Sequence, residues 1–139
     1  MPSFLSEVTK AGPATRFELA LEPSGKVAVP DLEVAVDSAT RKKGLLGRDG
    51  LPGGSGLVIA PTNAVHTFFM RFPIDILFVT RSGEIIKLCP AVKAWRMAVA
   101  FRAYAVVELA AGGAALAGLS VGDRVAVRRR QSGDGGSIV

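Results

Sequence analysis

Apolar and polar residues alternate with a period of two over short runs punctuated by Gly, Pro and Ser. This pattern points to a domain built mainly of strands. In "RFELALE", Phe17, Leu19 and Leu21 alternate with Glu18, Ala20 and Glu22, as in a strand buried on one face. "PSG" at 23–25 supplies a turn, "KVAVP" resumes the extended pattern, and "LEVAVD" continues it with Leu32, Val34 and Val36 inward. "DGLPGGSG" at 49–56 reads as a loop and "LVIA" at 57–60 as a short buried strand. "IDILFV", "TRSGE" and "IIKLCPAV" predict a β-hairpin turning at Gly83. "WRMAVAFR" at 95–102 sets Trp95, Met97, Val99 and Phe101 against Arg96 and Arg102, which predicts an extended segment. "YAVVEL" and "VGDRVAVR" predict two more strands.

Helical signals are brief. Ser38 is the candidate N-cap of a helix through "ATRKKGLL", whose first turns would carry Arg41, Lys42 and Lys43 against the helix dipole. "AAGGAALAGL" predicts a second, glycine-capped helix. The expected fold class is α+β, mainly β: a small closed or partly closed β-barrel with one or two short helices.

At 139 residues the chain suits a single domain, placed at 15–130 between a flexible lead-in (1–14) and a disordered tail (131–139). A formal charge of +5 admits acidic partners, although "RKK" at 41–43 and "RRR" at 128–130 more simply form solvated faces, so nucleic acid is disfavoured as a partner. The lone Cys89 has no partner for an internal disulfide and is expected to be an inert core thiol in a reducing compartment. One Cys and one His do not make a Cys/His zinc site, and neither metal nor cofactor is expected. The N-terminus lacks a signal-peptide pattern, and the most apolar stretch is broken by Glu108 and glycines. A cytoplasmic protein with no membrane partner, monomeric or weakly dimeric, is the expectation.

The chemistry concentrates in "VHTFFMRFPIDILF", residues 65–78, which holds one His, one Arg and one Asp among mostly apolar residues. Both faces of "IDILFV" are apolar, so Asp75 is expected to be buried and to need a companion, because an unpaired buried charge costs several kcal/mol. Arg71, Arg41 and Arg48 are the candidate cations, and capping of backbone amides is the structural alternative. His66 offers acid–base chemistry near neutral pH, but strand parity points it away from Asp75 unless Pro73 bends the chain. Phe68, Phe69, Met70 and Phe72 are most simply core; the alternative is the wall of an apolar pocket. Glu108, inside "VVEL", is a second charge in an apolar strand.

"ATRKKGLLGRDGL", "VHTFFMRFPIDILFV", "RSGEII" and "YAVVELAAGGAALAGLSVGDRV" stand in the order seen in the domain-of-unknown-function 192 family, which the chain resembles from about "LEVAVD" to "DRVAV". The resemblance implies a small β-barrel-like α+β domain with Arg41, Gly44, Asp75 and Glu108 at signature positions. The family's longer form carries a Trp-Met-Lys-Asn-Thr type segment before the aspartate; here the segment is shorter, with Phe69 in the place of the Trp. No settled activity comes with the family.

The expected function is a non-enzymatic binding module. A cleft lined by the aromatic run (Phe69, Met70) and polarised by Arg41, Arg48, Arg71, His66, Asp75 and Glu108 would take a small anionic ligand or a peptide segment of a partner. The alternatives are an enzyme using His66 and Asp75 as acid–base groups, and nucleic-acid contact through the basic patches.

Overall fold

In the computed structural model, residues 3–8 and 16–130 are described. Among these residues, nine strands and two short helices follow in the order β1 (Phe17–Glu22), β2 (Val27–Ala35), α1 (Ser38–Lys43), β3 (Ser55–Ile59), β4 (Ala64–His66), β5 (Ile74–Val79), β6 (Ile85–Val92), β7 (Met97–Val99), β8 (Ala105–Ala110), α2 (Gly113–Leu116) and β9 (Arg124–Arg129). Seven strands form one mixed sheet in the order β6-β5-β8-β3-β2-β1-β9, while β4 and β7 make a separate two-stranded ribbon.

"KVAVP" and "LEVAVD" merge into the single strand β2, which pairs antiparallel with β1 and parallel with β3. The 49–56 segment is a loop only as far as Gly54, since Ser55 and Gly56 already pair with Asp31 and Leu32. The hairpin at Gly83 forms as expected between β5 and β6. Gly83 is required there, because it sits at φ 100° and a Cβ would collide with the Val125 carbonyl.

That collision site is also where the ends of the sheet meet. A bridge between Glu84 and Arg124, with Val125 N–H donating to the Gly83 carbonyl at 2.8 Å, joins the start of β6 to β9. The sheet is otherwise open along β6 and β9: the described residues form the expected mainly β fold with two short helices, in a mixed sheet that is not closed, where a closed or partly closed barrel was expected.

Two cores lie on opposite faces of this sheet. Alternation along β8 sends Ala105, Val107 and Leu109 to the first, with Leu19, Leu77, Val79 and Ile85, and sends Val106 to the second, with Ile59, Ile74, Ile76 and Phe78. Phe4 and Leu5, within the expected lead-in, are buried in the first core; residues 9–15 and the expected tail at 131–139 lie outside the described residues. Leu45 and Leu51 from the segment after α1, and Val65 and Ala98 from the ribbon, pack on the second core.

The first helix differs from expectation at both ends. Asp37, rather than Ser38, is the N-cap, accepting from Thr40 N–H at 2.8 Å. The helix stops at Lys43 because Gly44 turns out at φ 46°, which carries Leu45 into the core. Arg41, Lys42 and Lys43 therefore stand in the last turn, where the dipole favours cations and the expected conflict vanishes.

"WRMAVAFR" is extended only at Met97–Val99, because Trp95 adopts φ 66° and the chain turns again at 101–102. Phe69, read as core, adopts φ 65° and points outward at 69% exposure, whereas Phe68, Met70 and Phe72 are half-buried. Thr67, only 1% exposed, clamps these two loops together. Its hydroxyl donates to the Lys93 carbonyl at 2.7 Å and accepts from Arg96 N–H at 2.9 Å, and its carbonyl accepts from Trp95 N–H at 3.1 Å.

Candidate ligand-binding site

The two carboxyls buried in neighbouring strands have opposite surroundings. Asp75, 1% exposed on β5, is fully engaged by backbone amides. Its Oδ1 accepts from Ala91 N–H at 2.8 Å and Gly112 N–H at 3.2 Å, and its Oδ2 accepts from Ala114 N–H at 2.9 Å. Asp75 thus fastens α2 and the end of β6 to the centre of the sheet, and the amide alternative replaces the expected arginine. Arg71 instead pairs with Asp49 at 2.8 Å in solvent, and Arg48 holds Glu33 bidentately at 2.7 and 3.0 Å. That pair lowers the Glu33 carboxyl below its usual range, chiefly through the Arg48 hydrogen bond.

Glu108 lies one step across the ladder, opposite Ile76 of β5 and Leu57 of β3, so its side chain faces the second core. It is 5% exposed, and among the described residues no hydrogen bond or ion pair reaches its carboxyl. Burial alone pushes that carboxyl up to about 7. What it meets is a cavity of about 390 Å³ between α1 and the β4–β7 ribbon.

The cavity wall brings together Glu108, Arg41, Lys42, Lys43, His66 and Met70, with Ile59, Leu45 and Val65 supplying apolar surface. Arg41 ties α1 across to the end of β3, donating to the Pro61 carbonyl at 3.1 Å and to the Asp37 carbonyl at 3.3 Å. Lys42 and Lys43 are exposed and have no partner among the described residues. His66 Nδ1 accepts from Phe68 N–H at 3.2 Å, and its ring stacks on Phe68 at 4.8 Å.

Of the residues singled out in the sequence, the structure gathers Arg41, His66, Met70 and Glu108 around one cavity. It does not bring His66 and Asp75 together: both Asp75 oxygens are taken on the other side of the sheet. Arg48 and Arg71 are spent on Glu33 and Asp49, and Phe69 stands on the outer tip against Trp95. Lys42 and Lys43 were visible only as a basic run, since nothing local in the sequence shows that α1 lies over Glu108. Cys89 is half-buried beside the second core rather than within it. Of the terminal arginines, Arg128 pairs with Glu18 at 2.8 Å and Arg130 with Asp31 at 3.8 Å.

What this arrangement can do chemically follows from the mismatch between floor and rim. A carboxyl that keeps its proton near neutrality offers an O–H donor, and the rim offers fixed and mobile positive charge; both suit an oxygen-rich anion. Among the described residues, no helix is long and apolar enough to cross a membrane.

Two solved structures share the fold. One, from Sinorhizobium meliloti 1021, is named as a candidate transcription regulator; it is 24% identical with a TM-score of 0.69, covering 80% of this chain and 91% of its own. The other, a protein of unknown function from Novosphingobium aromaticivorans DSM 12444, is 23% identical with a TM-score of 0.68, covering 83% and 89%. No curated protein matches the chain. The model of the uncharacterised family DUF192 matches residues 19–127, from β1 to β9, and the chain belongs to that family.

Proposed function

We propose that this domain is a non-enzymatic binding module whose cavity between α1 and the β4–β7 ribbon takes a small anionic ligand. One observation carries the reading: a buried carboxyl with no partner among the described residues lines a cavity whose rim holds Arg41, Lys42 and Lys43. Its oxygens open onto the cavity, where a ligand can reach them directly. A carboxylate or phosphate ligand would accept the Glu108 proton in a hydrogen bond while its charge meets the rim. Met70 and Ile59 give the cavity an apolar wall that suits the carbon part of an organic anion.

Binding of this kind takes up a proton at Glu108, so affinity should fall as pH rises through about 7. The test is titration calorimetry with inorganic phosphate and with succinate at pH 6 and pH 8. The reading expects binding that weakens at pH 8 and is lost in Lys42→Ala/Lys43→Ala. Retention of full affinity in that variant, or no binding of either anion at pH 6, overturns it. The carboxyl near 7 also favours a second reading, acid–base catalysis with Glu108 as the proton-carrying group in place of Asp75. Turnover of a bound organic anion, lost in Glu108→Gln, distinguishes the two.

A further inference from the structure

The β4–β7 ribbon and its flanking loops, residues 61–73 and 93–104, contain no Asp or Glu and carry four cations: Arg71, Lys93, Arg96 and Arg102. The same segments present four of the chain's most exposed large apolar side chains, Phe69 at 69%, Trp95 at 57%, Met97 at 68% and Phe101 at 88%. Trp95 packs edge-on against Phe69 at 4.6 Å and stacks on Phe68 at 5.7 Å, which in turn stacks on His66; Met97 lies opposite His66 across the ribbon.

These side chains are held outward. Phe69 and Trp95 both occupy the left-handed region, disfavoured for bulky residues, and the Thr67 hydrogen bonds lock the two loops that contain them. Between and beside them, the side chains of Lys93 and Arg102 have no partner among the described residues, and the Arg96 guanidinium reaches only the carbonyls of Ala94 and Trp95. The inner face of the ribbon, through Val65 and Ala98, is already used on the second core, so this outer face is surplus to folding.

We propose that the outer face of the β4–β7 ribbon docks on an anionic lipid surface, with Phe69, Trp95 and Met97 entering the headgroup region and Lys93, Arg96 and Arg102 meeting lipid phosphates. Protruding aromatic and Met side chains among cations match that boundary, where amphipathic rings reside and basic groups gain from surface charge. Such docking needs no spanning helix, and none is long and apolar enough among the described residues. This proposal is independent of the cavity reading and fails or stands separately from it.

Trp95 is the only tryptophan in the chain, so its emission reports on this face directly. The full chain is mixed with vesicles of phosphatidylcholine alone and of equal parts phosphatidylcholine and phosphatidylglycerol, and followed by flotation and fluorescence. Binding to the mixed vesicles with a blue shift of Trp95, and at least tenfold weaker binding to phosphatidylcholine alone, is the expected result. Lys93→Glu/Arg96→Glu should weaken partition by at least about 20-fold. Phe69→Asn, a residue that tolerates the left-handed backbone, should reduce both flotation and blue shift. No flotation with anionic vesicles, or equal binding by wild type and the charge-reversed variant, overturns the proposal. Perturbation of Trp95 by oligothymidylate or polyglutamate without any effect of vesicles also overturns it, in favour of a nucleic-acid or acidic-protein partner.

Discussion

Glu108→Gln should make the protein more stable in base than in acid relative to wild type, and the size of the effect can be worked out. The carboxyl titrates at about 4.5 when the chain is unfolded and at about 7 when it is folded. The folded state therefore binds more protons than the unfolded one between those values, and wild-type stability falls as pH rises through them. A gap of roughly 2.5 pKa units corresponds to about 3 kcal/mol, with about 2 kcal/mol already lost at pH 6 and the full amount by pH 8. That is a large share of the roughly 5–15 kcal/mol that holds a domain of this size. Gln keeps the shape but cannot ionise; its amide adds a desolvation cost that does not vary with pH. The measurement is urea unfolding of both proteins at pH 4.5, 6, 7 and 8. The difference between them should shift by about 3 kcal/mol in favour of the variant from the lowest to the highest pH. A difference that stays flat refutes the argument, because it would mean that Glu108 finds a partner or water in its ionised form.

Asp75→Asn should destabilise the protein by about 1–3 kcal/mol, because both carboxylate oxygens accept amide protons and one position would become an NH₂ group facing a donor. Urea unfolding checks this, and an unchanged midpoint would remove Asp75 from its role in fastening α2. Thr67→Val should cost about 1–3 kcal/mol by stranding Arg96 N–H and the Lys93 carbonyl. It should also lower the steady-state anisotropy of Trp95 by freeing its loop, and unchanged anisotropy would show that something else holds the tips.

The parts of the molecule written in local pattern were legible before the structure. The β5–β6 hairpin followed from two apolar runs around Gly83, and the burial of Asp75 followed from apolar neighbours on both faces of its strand. Its partners did not follow. The amides of Gly112 and Ala114 come from more than thirty positions away and carry no side-chain signature, whereas arginines can be seen in a sequence and so drew the inference. The cavity was half legible: Glu108 stood out, but the helix over it is placed by the parallel pairing of β2 with β3, which alternation alone does not encode. The outward turn of Phe69 and Trp95 runs against residue preference and depends on Thr67 joining two loops about 26 positions apart. Period-two counting along 95–102 had no means of finding it.

Placing Asp75 beside Leu109, and Ile76 beside Glu108, also has a bearing on how the strands find their alignment. Sliding β5 by a single residue would reverse every side chain on it. The aspartate would be torn from its three amides and driven into hydrocarbon, while Ile74, Ile76 and Phe78 would leave the second core together. Misalignment is thus penalised by stranded charge as well as by misplaced bulk, and the centre of the sheet tolerates only one way of being threaded.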